Sequence, residues 1–215
     1  MTVIETLQAI RAGQIKDLRG ANLAQVDLSG TVLTGVNLAG ANLAGANLTG
    51  ANLAGADLSG ADLSHAILRC NLRGADLGGS CLVGADLRNA DLRAATCLDC
   101  QLAQASLAGA LLAGATLSRL NLSLLDLRGC DLRGASLTQT LLVQADLSAA
   151  NASGADFTQA DLEEAVLVQT VFRGTNLTRA NLLCAQMDLA QWDGALLIDT
   201  CLEGTALDVG SSPQP

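Results

Sequence analysis

The chain of 215 residues is half apolar, 15% charged and 1% aromatic, with a formal net charge of −9. That apolar content excludes a disordered acidic tail, and the scarcity of rings argues against an ordinary globular core built on aromatic anchors. The negative charge argues against direct binding of nucleic acid through its phosphates and suits protein partners with basic surfaces.

At the amino terminus, Thr2-Val3-Ile4-Glu5 reads as a capping box, with Thr2 at the N-cap and Glu5 three residues later. Val3, Leu7 and Ile10 come next at helical spacing and Gly13 supplies a stop. Residues 1–15 are therefore expected to form a short capping α-helix and lead-in that covers one open end of the downstream chain. No basic stretch precedes an apolar one here, so no secretory leader is expected. Charged or polar residues interrupt every window of eighteen, so no membrane span is expected. The seven cysteines are an odd number without disulfide-framework spacing, which points to a reducing compartment and a cytoplasmic location.

From residue 16 onward the chain is one internal repeat, plainest in Gly40–Ser64, GANLAGANLTGANLAGADLSGADLS. With the central residue labelled i, eleven centres run every five residues from Leu18 to Leu68 and twenty-eight more from Leu72 to Leu207. All are Leu except Cys97, Ala152, Phe157, Phe172, Met187 and Trp192. Position i−2 is mostly Ala, i−1 is mostly Asn or Asp, and 19 of the 22 glycines lie at i+2. A helix would scatter such leucines about 140° apart, and an uninterrupted strand would send alternate ones to opposite faces. A chain that turns a corner once per repeat resolves both conflicts. Residues i−1 to i+1 form a very short strand with Leu pointing in, and Gly takes the corner because it accepts positive φ cheaply.

These residues resemble the pentapeptide-repeat family, whose motif is written A(D/N)LXX. The resemblance spans Lys16 to Leu207 and is closest to cyanobacterial cytosolic members. It implies an all-β solenoid, a right-handed quadrilateral β-helix with four pentapeptides per coil. The 39 repeats then make nearly ten coils over residues 16–208, roughly 45 Å long at about 4.8 Å per coil. Residues 209–215 are expected to be a polar tail whose two prolines discourage strand pairing.

Several departures punctuate the array. Leu68 and Leu72 are four residues apart, so Leu68, Arg69, Cys70, Asn71 and Leu72 form a register slip that must alter a corner or bulge a wall. His65, the only histidine, sits beside it at an outward corner. Leu120 and Leu125 occupy i−2 positions where Ala is usual. They are expected to push their corners outward and widen the space between the faces centred on Leu122 and Leu127. Ala152, Phe172 and Trp192 lie twenty residues apart and should stack in one column.

No catalytic constellation is visible, and neither a cofactor nor a metal is expected. Carboxylates are dispersed along a convex rod beside a single His. Cys97-Leu98-Asp99-Cys100 is a CxxC, but its phase points both thiols into the core, without a second pair or a ligand histidine. Cys70 and Cys130 share the inward phase, whereas Cys81, Cys184 and Cys201 should face outward.

Function is therefore sought on the outside. Arg73, Arg93, Arg133 and Arg173 fall at i+1 on one face, and Arg88 and Arg128 at i+1 on the face before it. Asp91, Asp131, Asp86 and Asp126 lie alongside at i−1. The rows read either as a salt-bridged ladder or as a docking stripe. A different face carries the apolar residues Val83, Leu141, Val143 and Leu183, an alternative interaction patch. Both point to a non-enzymatic protein-binding scaffold or regulator with a cytosolic protein partner and no membrane or direct nucleic-acid contact, favoured as a monomer. The resemblance also offers an alternative, a DNA mimic that modulates type II topoisomerase (gyrase), although the Leu centres and the arginine stripe depart from that branch of the family.

Overall fold

The computed structural model describes residues 9–10 and 14–208. Thr2, Glu5 and Gly13, on which the capping-helix reading rests, lie outside those residues, as does the tail 209–215. Ala9 and Ile10 belong to a helical turn, and the Ile10 side chain is fully buried in the apolar core.

Along the array, every i−1 residue from Asp17 to Asn181 except Gln101 pairs in parallel with its equivalent one turn of chain further on: Asp17 with Asn37, Asn37 with Asp57, and onward to Asn181 with Cys201. Four pentapeptides fill each turn, so the rod has four walls of single-residue bridges. Every backbone N–H of a repeat has its own use, as the pentapeptide around Leu38 shows. Asn37 N donates to Lys16 O at 2.9 Å in the preceding turn. Leu38 N and Gly40 N donate to Asp57 O and Ser59 O in the next, at 2.7 and 2.8 Å. Ala41 N closes the corner onto Leu38 O at 2.9 Å. Only the N–H at i+1 is left over, and Asn37 Oδ1 accepts it from Ala39 at 3.0 Å. This local side-chain bond is the reason Asn and Asp dominate i−1.

Only the third residue of the Leu38–Ala41 corner has positive φ, +63° at Gly40, which is the type II turn. The same conformation recurs at every described corner except the one at the slip. Inside, Leu38, Leu58 and the small Ala41 have no exposed surface, and each such leucine contributes about 1.5–3 kcal/mol by burial. Polar residues at i−2 are accommodated by the free lone pair of a carbonyl below. Thr170 Oγ1 donates to Leu147 O at 2.8 Å, and Thr175 Oγ1 to Ala152 O at 2.7 Å.

The missing residue near Leu68 is absorbed at one corner. Pairs spaced by 20 up to Asn47–Ile67 become pairs spaced by 19 from Asn52–Asn71 to Ile67–Asp86, then revert at Asn71–Asp91. Cys70 N donates to Leu68 O at 2.7 Å, a three-residue turn in place of the usual four. Leu68 and Leu72 both stay buried, so the wall continues without a bulge. Near the far end, Phe172 stacks on Trp192 with centroids 4.6 Å apart and meets Phe157 edge-on at 5.9 Å. Buried Ala152 completes the column below Phe172.

Leu120 and Leu125 do remain inside. Their corners are stretched: Leu120 N to Leu117 O and Leu125 N to Leu122 O are both 3.3 Å, against 2.9 Å for Ala115 N to Leu112 O. The widening, however, opens between two stacked turns, not between adjacent faces. Pairing of Gln101 with Asn121 is absent, while Cys81–Gln101 below and Asn121–Leu141 above are intact. The two long buried side chains flank Leu122 and lie twenty residues on from Cys100 and Ala105, at the place where the rungs to the turn beneath are missing.

Candidate functional site

The arginine rows are built by a three-residue unit, Asp-Leu-Arg. With Leu buried, Asp at i−1 and Arg at i+1 emerge on the same outer side. Arg93 Nε donates to Asp91 Oδ1 at 2.8 Å and Nη2 to Oδ2 at 2.6 Å, while the Arg93 backbone N–H reaches Oδ1 at 3.2 Å. Arg133 with Asp131, Arg88 with Asp86 and Arg128 with Asp126 repeat the clamp, each with two side-chain bonds of 2.7–2.9 Å. The hydrogen bonds from arginine hold the carboxyls of Asp91, Asp126 and Asp131 below the ordinary carboxylate value. Asp86 accepts a second guanidinium, that of Arg69 at the slip.

The pairing register Asn71–Asp91–Leu111–Asp131–Asn151–Val171 places Arg73, Arg93, Arg133 and Arg173 in one row along the rod. All four are exposed, yet their situations differ. Arg93 and Arg133 are clamped in their own repeats, and Arg173 pairs with Asp193 in the next turn at 3.2 Å. Arg73 follows Asn71 in place of an aspartate and makes no ion pair among the described residues. The row is therefore a salt-bridged ladder in part: Arg93 and Arg133 are held by carboxylates of their own repeats, Arg173 by one in the next turn, and Arg73 by none among the described residues.

The apolar face is looser. Leu141 is exposed, whereas Val83, Val143 and Leu183 are half-buried. Sequence reasoning overlooked Leu124, which is 72% exposed at a left-handed corner with φ +65°. A leucine at i+2, where Gly or a polar residue is usual, was the available signal.

The cysteines follow their phase. Cys70, Cys97, Cys100 and Cys130 are buried, Cys81 is half-buried, and Cys184 and Cys201 are exposed, all as free thiols. Burial pushes Cys70 and Cys130 up to about 12. Cys97 is raised by its hydrogen bond with Cys100 and by burial, and the Cys100 thiol donates to Leu77 O at 2.9 Å. Among the described residues no group of His, Cys, Asp or Glu could hold a metal ion, and no helix is long and apolar enough to cross a membrane.

The family model for pentapeptide repeats matches residues 17–43, 33–69, 70–102, 97–134, 130–167 and 155–190. The chain belongs to the pentapeptide-repeat family. Among solved structures it is similar to HetL, a pentapeptide-repeat protein involved in heterocyst differentiation regulation from the cyanobacterium Nostoc sp. strain PCC 7120. That likeness has 32% identity over 98% of this chain and 99% of HetL, with a TM-score of 0.50. It is also similar to full-length QnrB1, a plasmid-mediated fluoroquinolone resistance protein, at 20% identity over 81% of this chain and 90% of that one, TM-score 0.57. The second likeness is one of fold. No curated protein sequence matches the chain. For this pentapeptide-repeat protein the leucine-filled interior leaves the outer walls as the place where chemistry differs from turn to turn.

Proposed function

We propose that this chain is a non-enzymatic cytoplasmic scaffold or regulator that binds a partner protein through its outer walls. The observation that carries the reading is the row Arg73, Arg93, Arg133 and Arg173, exposed on one wall and braced in part by Asp91 and Asp131. Guanidinium groups already oriented by the scaffold lose less freedom when they meet a partner's carboxylates or carbonyls. HetL, matched over its whole length, is a protein of regulation, and a regulatory role fits a rigid displaying surface. The reading takes residues 16–208 as one right-handed rod of nearly ten coils. It acts as a monomer, with no cofactor and no direct contact to nucleic acid or membrane.

A second reading, a DNA mimic acting on gyrase, draws on the run Asp188, Asp193, Asp199, Glu203 and Asp208, beyond the last arginine at Arg179. The arginine row interrupts that acidity over the middle of the rod.

One experiment separates them: affinity capture from native cytosol with the wild type and with Arg73→Glu/Arg93→Glu/Arg133→Glu, both checked for unchanged thermal unfolding. The scaffold reading expects a partner other than gyrase that is lost with the reversed charges. Gyrase subunits retained by both proteins, with inhibition of supercoiling by the pure chain, would replace it with the second reading.

A further inference from the structure

The missing rungs leave an opening in the middle of the array. Between the turn carrying residues 99–105 and the turn carrying 118–126, five consecutive rungs are missing. The backbone N–H groups of Asp99, Leu102, Gln104, Asn121 and Asp126 have no hydrogen-bond partner among the described residues. Their regular acceptors in the ladder would be Ser118 O, Asn121 O, Ser123 O, Cys100 O and Ala105 O. Intact and stretched rungs bracket the gap, Cys97 N to Thr116 O at 3.0 Å and Leu107 N to Asp126 O at 3.3 Å. The opening is a cleft of about 540 Å³ lined by Val83, Leu102, Gln104, Asn121, Leu124 and Leu125 with their neighbours, none of them charged. In a chain of net charge −9, an uncharged cleft with both apolar side chains and bare strand edges is distinctive.

We propose that this cleft binds an uncharged, extended peptide segment of a partner protein by strand addition. The proposal rests on the scaffold reading above and supplies it with a second contact, on the wall that also bears Leu141 and Val143. The chemistry of the lips selects the occupant. Both carry unpaired N–H and C=O groups, and an extended backbone is a ligand that offers acceptors and donors to both kinds. Exposed Leu124 and half-buried Val83 border the cleft and would take the apolar side chains on one face of that strand. A strongly charged segment would lose hydration there, since no charged side chain is among the lining residues. The volume lies in the range of ligand cavities, about 300–1,000 Å³, and admits a short segment, not a folded domain.

The test titrates the full chain with a pool of capped, uncharged heptapeptides that alternate Ser or Thr with Val, Leu or Ile, read by amide NMR. The expected result is saturable shift changes centred on the Leu102, Gln104 and Asn121 amides. Copies N-methylated at alternate residues, which cannot donate into the ladder, should bind about ten-fold more weakly or worse. Leu120→Ala/Leu125→Ala restores the usual small residue at both i−2 positions and should close the cleft. Its Leu102 and Asn121 amides should gain hydrogen-exchange protection and its peptide binding should disappear. The proposal fails if millimolar peptide moves none of these amides in the wild type, or if N-methylated copies bind equally well. It also fails if those shifts depend on the protein's own concentration, which would seat a second copy in the cleft. The scaffold reading fails separately, through the charge-reversal capture, so peptide binding with an unchanged capture would retain the cleft and discard the arginine row.

Discussion

Ala94 and Gly114 occupy the same corner one turn apart, with φ of +56° and +68°. Ala94 N donates to Ala113 O at 2.9 Å, and both corners are exposed. They form a natural control pair, because a Cβ added at Gly114 meets nothing within 4 Å. Any effect of exchanging the residues is therefore conformational. A left-handed backbone costs a residue with a Cβ about 1–2 kcal/mol. Glycine in turn gives the unfolded chain freedom that disfavours folding by about 0.4–1 kcal/mol. The difference predicts that Ala94→Gly stabilises the rod by about 0.5–1 kcal/mol and that Gly114→Ala destabilises it by about the same amount. Urea titration followed by circular dichroism measures both, and the thermal midpoints should move about 2–4 °C per kcal/mol in opposite directions. If Ala94→Gly destabilises, as the same change would in a helix, the corners are not held by their left-handed residue.

The same geometry sets further outcomes. Leu132, fully buried among stacked leucines, should lose about 2–5 kcal/mol of stability on Leu132→Ala, read from the urea midpoint. The carboxyls of Asp91, Asp126 and Asp131 sit below their ordinary value. Their clamps therefore stabilise the fold above the unfolded carboxylate range and are lost as pH falls below about 4 through the lowered values. Urea midpoints between pH 7 and pH 3 should drop less in Asp131→Asn than in the wild type. Toward a thiol-specific reagent, exposed Cys184 and Cys201 should react first and Cys81 more slowly. The buried Cys70, Cys97, Cys100 and Cys130 should react only when the chain is unfolded. Prompt labelling of more than three thiols would contradict the inward phase of those four.

Much of this structure was legible because a five-residue period admits few backbones. The leucine spacing specifies which side chains point in, and the glycines mark where the chain turns. The four-residue interval from Leu68 to Leu72 announced the slip, but whether a corner or a wall would yield depended on the short turn that buried Cys70 makes with Leu68 O. The role of Asn and Asp at i−1 was hidden for a different reason. Outward polarity explains any hydrophilic residue there, and only an accounting of all five N–H groups leaves the i+1 donor that requires a short side-chain acceptor. The opening at Gln101 and Asn121 was half visible. Leu120 and Leu125 signal surplus volume, but the sequence does not say which neighbouring turn gives way; the pairing is lost below, at Gln101, and kept above, at Leu141. The arginine rows could be aligned from the repeat, whereas the Arg73–Asn71 exception matters only once its neighbours are seen clamped.

If a partner protein docks on the arginine wall, it must pass close to Ala113, which stands in the gap between Arg93 and Arg133. Val143 stands on the apolar wall and serves as the comparison. A photo-crosslinking residue placed at each position and activated in native cytosol reads the docking face itself. Docking on the arginines predicts one protein joined to position 113, absent when Arg93 and Arg133 are reversed to Glu. Crosslinks that form at position 143 alone, or at position 113 regardless of the reversed arginines, would contradict it.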